Sequence, residues 1–417
     1  MIKLLDCTLR DGGYITNWKF GRDTMKRVTK ELTDANFDMI EIGYLNKDAN
    51  DPEKSIFKTM EDAKSILPEK RKNALYLAMA DVDQFLPENV PNYKPGDIDG
   101  VRVVFYKHQV DKALEMCKKI SESGYKLFVQ PMVTIDYTAE EYSRLIDRIV
   151  DLNPYAVSIV DSFGYMTKWE LKYYFDILDN RLNPECIIGF HSHNNMQLSV
   201  LNAESLFGYN TNRTIVIDSS LYGMGRGAGN LNTELIANYY NQNVENKYNL
   251  GKVMSLISDI IYPIYNEKPW GYSPYFFLTA CYHCHPNYAS YVLSENEVSI
   301  NDFEKFLATI PEELRVKCKK PLTLEMFEEF KKYYNKNGKN GKNSTFGDWC
   351  WWNINRRQNL YECKWWTNES FQCKRWLRNS SLFAYFKHNS CNYNWQVIRY
   401  FTCSLQRTKN YRNLSRC

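Results

Sequence analysis

The feature that most constrains the fold is an eightfold alternation of short apolar segments with helical segments along about the first 240 residues. The apolar segments are rich in β-branched and aromatic residues, as strands are, and helical periodicity follows most of them. This alternation is typical of parallel βαβ units. The predicted strands are Ile2–Asp6, Met39–Tyr44, Ala74–Ala80, Val101–Tyr106, Lys126–Gln130, Ala156–Asp161, Ile187–His191 and Thr214–Ser219.

Helices are predicted between these strands, except for a turn around Asp81–Phe85. They are Arg22–Asn36, Pro52–Ile66, Gln109–Ser123, Thr138–Leu152, Thr167–Asn180, Asn195–Phe207 and Thr233–Asn241. Eight such units close most naturally into an α/β (β/α)8 TIM barrel, whereas the alternative of an open doubly wound sheet lacks its usual G-x-G-x-x-G after the first strand. We expect a catalytic barrel over 1–245 and a small, mainly helical appendix over 246–334 that covers the barrel mouth.

The basic charge of the chain belongs to its last 75 residues. They contain 12 Lys and Arg against three Asp and Glu, so the first 342 residues carry −5 although the whole chain carries +4. They also hold seven of the ten Trp and six of the twelve Cys, which is unlike a globular domain. We expect residues 335–417 to be a linker and an irregular, disordered tail. An out-of-frame translation after the Lys-Asn-Gly repeat at 337–343 would explain that composition.

Several classes of protein are disfavoured. The tail cysteines form no C-x2-C pair with accompanying His, so a zinc module is not expected there. No segment resembles a signal peptide, and no apolar run approaches the ~20 residues of a membrane span. We expect a cytoplasmic protein with reduced thiols and no membrane partner. Nucleic-acid binding by the basic, Trp-rich tail is the weaker alternative, so no nucleic-acid partner is expected.

Polar residues that could bind ligands collect after four of the strands, where the active site of a TIM barrel lies. They are Arg10 and Asp11 after the first strand, Asp161 and Ser162 after the sixth, His191 and His193 at the seventh, and the Gly-rich run 223–230, which ends at Asn230, after the eighth. The Gly-rich run alone is a weak signal, because similar loops serve ordinary turn geometry.

His191 and His193 are two residues apart, so both side chains point to the same side of the strand. With Asp11 they would form a set of two imidazoles and one carboxylate, which suits a divalent metal ion. Mn²⁺ is the favoured ion, and Mg²⁺, Co²⁺ and Zn²⁺ are alternatives. The alternative for the histidines alone is a purely structural role.

Arg10 would place a fixed positive charge where an enolate oxygen develops. Its alternative role is an ion pair with Asp6 or Glu41 at the barrel rim. Ser162 could contact a substrate carboxylate, or it could simply cap a helix.

With these motifs assembled, about the first 240 residues resemble the DRE-TIM metallolyases, the barrels similar to HMG-CoA lyase and to pyruvate carboxyltransferases. The motifs are Asp6–Gly12, Glu41–Gly43, Gly189–Asn195 and Gly225–Asn230. The barrel and the Asp161-Ser162 pair are most similar to the 4-hydroxy-2-oxovalerate aldolase branch.

The resemblance implies a divalent metal ion on Asp11, His191 and His193, with Asn230 as a further ligand. It also implies that Arg10 stabilises an enolate and that Ser162, beside Asp161, contacts the substrate carboxylate.

One position departs from that branch. The aldolases have a His, their acid or base, three residues after the metal-binding Asp, where this chain has Tyr14. The synthases of the superfamily have Gly-Glu-Gln after that Asp, which this chain also lacks. A tyrosine, with an ordinary pKa of about 10, is a poor base at neutral pH but a competent acid.

The appendix contains a second candidate segment, Cys281–Ala289, with two Cys and two His. A zinc site is disfavoured because one C-x2-C lacks a partner pair. We expect the appendix to fold over the barrel so that His285 or Tyr288 contacts substrate or supplies the base, with packing as the alternative. His108, after the fourth strand, is a weaker candidate.

The function expected from these residues is a metal-dependent aldolase or lyase that acts on a small 2-oxo acid through its enolate. The alternatives are a Claisen-type acyl-CoA lyase or synthase of the same superfamily and, in another class, a non-catalytic metal-binding barrel. A homodimer is compatible with the sequence, which leaves the oligomeric state open.

Overall fold

The structure, a computed structural model, describes residues 1–68 and 74–337, with side chains up to residue 334. Eight parallel strands form one closed sheet, since the first strand pairs with both the second and the last. The strands are β1 Ile2–Asp6, β2 Met39–Leu45, β3 Leu75–Asp81, β4 Gly100–Phe105, β5 Lys126–Pro131, β6 Ala156–Asp161, β7 Ile187–Ser192 and β8 Ile215–Ser219. The predicted TIM barrel is therefore confirmed, while the tail lies outside the described residues.

The helices follow the strands in the expected alternation and then continue into the appendix. They are α1 Thr8–Asp11, α2 Gly13–Thr16, α3 Arg22–Asp34, α4 Met60–Lys64, α5 Val110–Glu122, α6 Ala139–Val150, α7 Lys168–Arg181, α8 Ser199–Ser205, α9 Thr233–Asn243, α10 Leu250–Leu256, α11 Tyr262–Glu267, α12 Pro274–Cys281, α13 Asn287–Glu295, α14 Ile300–Ala308, α15 Glu312–Arg315 and α16 Lys320–Asn337. A short 3-10 turn, Pro87–Asn89, stands where a helix between β3 and β4 would otherwise be.

The long helix predicted over Pro52–Ile66 is wrong. The segment first runs beside β2 as a two-residue strand, Ile56–Phe57, and only Met60–Lys64 is helical. Gly43 makes this possible, because a Cβ there would lie 2.1 Å from the Ser55 carbonyl oxygen. The apolar residues Ile56 and Phe57 therefore pair with β2 as a strand and do not form one face of a helix.

Three of the barrel helices, α4, α6 and α7, begin at capping boxes. The Thr138 hydroxyl accepts a hydrogen bond from the Glu141 N–H, and the Glu141 carboxylate accepts one from the Thr138 N–H. This exchange satisfies two donors that a helix start leaves without partners. Thr167 and Glu170 begin α7 in the same way.

The barrel interior is apolar at the amino ends of the strands and polar above. Its apolar layer consists of Leu5, Cys7, Met39, Leu77, Phe128, Ala156, Ile187 and Val216. A larger apolar core lies between the strands and the surrounding helices. The filled lower half leaves the carboxyl ends of the strands as the place where ligands can enter.

The appendix packs in two parts. Leu256, Ile257 and Ile261 are buried in the same core as the barrel helices, so α10 extends the outer layer. Beyond it, the buried rings of Phe303, Phe306, Phe327 and Phe330 form a separate aromatic cluster. In residues 1–68 and 74–337, no helix combines the length and the apolar character that crossing a membrane requires.

Candidate active site

Three buried side chains converge at the carboxyl end of the barrel. Asp11 Oδ2 lies 3.6 Å from His191 Nε2 and 3.8 Å from His193 Nε2, and one ligand atom of each residue lies within 4.8 Å of the others. Helix α1 carries Asp11 into the mouth, and the alternation of β7 and its continuation turns both imidazoles inward. The three side chains that the sequence grouped are therefore adjacent.

These residues fit a divalent metal ion. Two ligands ~2.1 Å from one ion lie ~3.0–3.4 Å apart, so small movements would bring all three donors onto it. Asn230 donates from Nδ2 to Asp11 Oδ2 at 2.5 Å, and the buried Asn230 Oδ1 has no hydrogen-bond partner in the described residues. That oxygen is the candidate further ligand.

A second layer of charged residues supports this cluster inside the barrel. Asp218 accepts a hydrogen bond from His191 Nδ1 at 3.1 Å and pairs with Arg102. Arg102 also pairs with Glu41 at 3.1 Å, and Glu41 accepts from Arg10 Nε at 2.8 Å. We name as the charge ring the six residues that close this circuit, namely Asp11, Arg10, Glu41, Arg102, Asp218 and His191.

Electrostatics favour the ligand forms of the cluster. Burial opposes ionisation of Asp11, but the Arg10 guanidinium and the two imidazoles outweigh it and hold the pKa of Asp11 well below its usual range. Burial lowers the pKa of His193 to about 3, so its ring is neutral at physiological pH. A carboxylate and a neutral imidazole are the forms that bind a metal ion.

Arg10 forms the ion pair with Glu41 that the sequence offered as one of its two roles. It pairs with Asp11 at 2.7 Å and with Glu41 at 2.8 Å, which fixes the direction of its side chain. Its buried Nη2 has no hydrogen-bond partner among the described residues. One donor on this guanidinium is therefore available for a ligand beside Asp11.

Ser162 and Asp161 point to different surroundings. The Ser162 hydroxyl accepts a hydrogen bond from the Val133 N–H at 2.9 Å and keeps its own hydrogen for another acceptor. Asp161 accepts from the N–H groups of Tyr165 and Met166, both at 3.1 Å, so it organises the loop after β6. Of this pair, the serine has the group that a substrate carboxylate could use.

Tyr14 lies at the open end of the site. It is 41% exposed, its hydroxyl lies 3.4 Å from that of Tyr44, and the Arg226 guanidinium lies 5.3 Å from the centre of its ring. The position three residues after Asp11 therefore places a phenol at the barrel mouth.

The appendix brings His285 to the mouth but not Tyr288. His285 packs edge-on against Phe163, and its Nε2 lies 3.4 Å from Arg226 Nη1. Tyr288 is buried within the appendix, where its hydroxyl donates to the Leu314 carbonyl at 2.8 Å. The side chain of His108 stacks on Tyr106 and lines a cavity next to His285.

The described residues contain one cluster of His, Cys, Asp and Glu side chains close enough to hold one metal ion. This cluster consists of Asp11, His191 and His193. Within the described residues, no side chain of the Cys281–Ala289 segment belongs to a cluster of this kind.

Sequence reasoning missed Arg102, and it gave no role to Asp218 or Arg226, which follow the eighth strand. Arg102 had a signal, because a charged residue inside the apolar run Val101–Phe105 must be buried with partners. Arg226 had only the weak signal of the Gly-rich run.

The comparisons with known proteins agree with this geometry. An HMGL-like family model matches residues 103–260. 4-Hydroxy-2-oxovalerate aldolase 6 of Rhodococcus jostii is 22% identical over 271 residues, which are 64% of this chain and 76% of that protein. Oxaloacetate decarboxylase of Mycobacterium tuberculosis is 24% identical over 242 residues, which are 56% of this chain and 68% of that protein.

A solved structure, the N-terminal domain of a proposed aldolase from Bacteroides vulgatus, has the same fold. Its TM-score is 0.60 at 24% identity, and the match covers 70% of this chain and 97% of that one.

The fold and the relatives together define a carbon–carbon lyase built on a TIM barrel. Through its HMGL-like region the chain is similar to the DRE-TIM metallolyases, and its curated relatives include several 4-hydroxy-2-oxovalerate aldolases.

Proposed function

We propose that this protein is a divalent-metal-dependent aldolase that cleaves or forms a carbon–carbon bond through the enolate of a pyruvate-type 2-oxo acid. The observation that carries the proposal is the convergence of Asp11, His191 and His193 beside a free donor of Arg10. The names of two relatives, 4-hydroxy-2-oxovalerate aldolase and oxaloacetate decarboxylase, both refer to 2-oxo acids.

The metal site would be formed by Asp11, His191 and His193, with Asn230 as a further ligand. A divalent ion bound there acts as a Lewis acid, which is worth several kcal/mol of charge stabilisation. We favour Mn²⁺, with Mg²⁺, Co²⁺ and Zn²⁺ as alternatives.

The protein's own groups bind and orient the 2-oxo acid. Arg10 Nη2 donates to the oxygen that becomes negative in the enolate, and its two carboxylate partners hold it in place before the reaction starts. The Ser162 hydroxyl donates to the substrate carboxylate, since its oxygen already accepts from Val133.

Proton transfer falls to Tyr14 in this scheme. In cleavage, its deprotonated oxygen takes the proton of the substrate hydroxyl and then gives it to C3 of the pyruvate enolate, and condensation runs the same two transfers in reverse. His285 is positioned as a donor, because its Nδ1 accepts from the Asn287 N–H at 3.0 Å and the hydrogen of the neutral ring is then on Nε2.

The test is pyruvate release from a 4-hydroxy-2-oxo acid, measured with lactate dehydrogenase as the coupling enzyme. Treatment with EDTA should abolish release, and Mn²⁺ or Co²⁺ should restore it. The variants Asp11→Asn and His191→Ala should lose both metal and activity, and unchanged turnover in either would refute the proposal.

Two further measurements on the same purified proteins distinguish the proposed aldolase from the two alternative functions. Free CoA released from an acyl-CoA and a 2-oxo acid would indicate a Claisen-type enzyme. Full metal occupancy, with no turnover that depends on the three ligands, would indicate a non-catalytic barrel.

A further inference from the structure

Arg226 differs from the other two arginines of the site. Arg10 and Arg102 each contact two carboxylates, whereas no carboxylate of the described residues lies within 4.0 Å of the Arg226 guanidinium. Its Nε is buried without a hydrogen-bond partner in the same part of the chain, and its Nη2 reaches only the Ser162 carbonyl, at 3.4 Å. A half-buried cation whose Nε is shielded from water and has no counter-ion in contact is unfavourable, so this side chain lacks an anion.

His285 presents a second donor to the same space. Its Nδ1 accepts from the Asn287 N–H, so the hydrogen of the neutral ring is on Nε2. That Nε2 lies 3.4 Å from Arg226 Nη1, which is also a donor. Two donors that face each other cannot satisfy one another, but an anion that accepts from both would.

The charge of the 2-oxo acid itself does not meet this need. Two arginines and three carboxylates leave the charge ring with one negative charge. A divalent metal ion and a monoanionic 2-oxo acid bring that total to zero. Arg226 then remains as an uncompensated positive charge for a second anionic group.

We propose that Arg226 and His285 form a binding site for an anionic group, a carboxylate or a phosphate, on the aldehyde half of the substrate. The inference rests on the proposed function and names the class of aldehyde that the enzyme uses. In the condensation, C3 of the pyruvate enolate bonds to the aldehyde carbon and the aldehyde oxygen takes a proton. The anionic group undergoes no chemistry and only positions the aldehyde.

The surroundings offer room for such a substrate. A cavity of about 800 Å³ opens beside His285 and extends between the barrel loops and the appendix. Val133, whose N–H donates to Ser162, lines the same cavity, as do Tyr106 and Lys317. The proposed anion site therefore borders this cavity through His285.

The test compares matched aldehydes in condensation with pyruvate by the Mn²⁺-loaded full-length protein. The pairs are succinic semialdehyde against butanal and glyceraldehyde 3-phosphate against glyceraldehyde, so carboxylate and phosphate are tested separately. The wild type should prefer the anionic member of at least one pair in kcat/KM. Arg226→Gln should reduce that preference about 10- to 100-fold, the usual effect of losing a charged hydrogen bond, and Arg226→Lys should retain part of it.

Two controls keep the outcomes distinct. Arg27→Gln removes an exposed arginine paired with Asp259, and it should leave the preference unchanged. Exchange of the pyruvate methyl protons with D₂O, measured by NMR without aldehyde, tests the proposed function by itself, and its absence refutes that function and this inference together. If exchange occurs but the wild type prefers neutral aldehydes, uses none of the four, or keeps its preference in Arg226→Gln, the anion site alone is refuted.

Discussion

His191 donates a hydrogen bond from Nδ1 to Oδ2 of Asp218 at 3.1 Å, which leaves its Nε2 as an acceptor that faces Asp11. A carboxylate on the far nitrogen of a metal-binding imidazole fixes its tautomer and orients the ring. Asp218 is itself held by Arg102, so the orientation of this proposed ligand depends on an ion pair deep inside the barrel.

We predict that Asp218→Asn weakens Mn²⁺ binding about 10- to 100-fold, because the amide does not favour the required tautomer as the carboxylate does. Isothermal titration calorimetry gives the Kd directly. Asp179→Asn is a matched control, since Asp179 also accepts from an arginine, Arg213, but lies outside the site. Equal Kd values for Asp218→Asn and the wild type would contradict the role of Asp218.

Replacing Arg102 tests the charge ring as a structural element. Arg102→Met leaves Glu41 and Asp218 buried without their shared cation, and we expect the free energy of unfolding to fall by about 3–5 kcal/mol. Urea unfolding measures this loss. Arg27→Met, which breaks an exposed pair, should cost at most about 1 kcal/mol, and a similar small loss for Arg102→Met would count against the ring.

Tyr14→Phe should lower kcat for aldol cleavage by about 10²- to 10⁴-fold, because the variant lacks the proposed proton donor. The Kd for Mn²⁺ should stay within about twofold, since the Tyr14 hydroxyl contacts none of the three proposed ligands. Tyr93→Phe removes another partly exposed hydroxyl remote from the site and provides the control. A kcat for Tyr14→Phe equal to that of this control would assign the proton transfer to another group.

Asp161 should make the stability of the protein depend on pH. Burial raises its pKa from 3.8 to about 7, against the opposing hydrogen bonds from backbone N–H groups. Between pH 4 and 7 the folded state therefore binds more protons at this residue than the unfolded state, so stability decreases as pH rises. The contribution is up to about 4 kcal/mol.

The variant Asp161→Asn isolates this effect. Its free energy of unfolding relative to that of the wild type should increase by up to about 4 kcal/mol between pH 4 and 8, measured by urea unfolding at each pH. A difference that does not change with pH would show that Asp161 ionises normally in the folded protein.

The barrel could be predicted from the sequence because each strand is a short buried run bounded by polar residues. Predicted and observed ends of the eight strands agree to within one residue. The error at Pro52–Ile66 arose because periodicity cannot distinguish a buried edge strand from a helical face, and the bulge at Gly43 was needed to admit that strand.

The three proposed metal ligands could also be grouped from the sequence, since strand alternation and the barrel rule bring residues 11, 191 and 193 together. The partners of Arg102 could not be identified in this way, because Glu41 and Asp218 lie 61 and 116 positions away and meet it only across the closed barrel. The position of Arg226 depends on a loop whose glycines allow many conformations.

The central claim is that Asp11, His191 and His193 bind one catalytic metal ion. Anomalous diffraction from crystals soaked with Mn²⁺ and oxalate, a mimic of the pyruvate enolate, tests it most directly. We predict one anomalous peak in contact with all three side chains, with oxalate oxygens on its open side and near Arg10. If the three side chains are well ordered in the density and no anomalous peak lies between them, or if the peak lies elsewhere, the claim is contradicted.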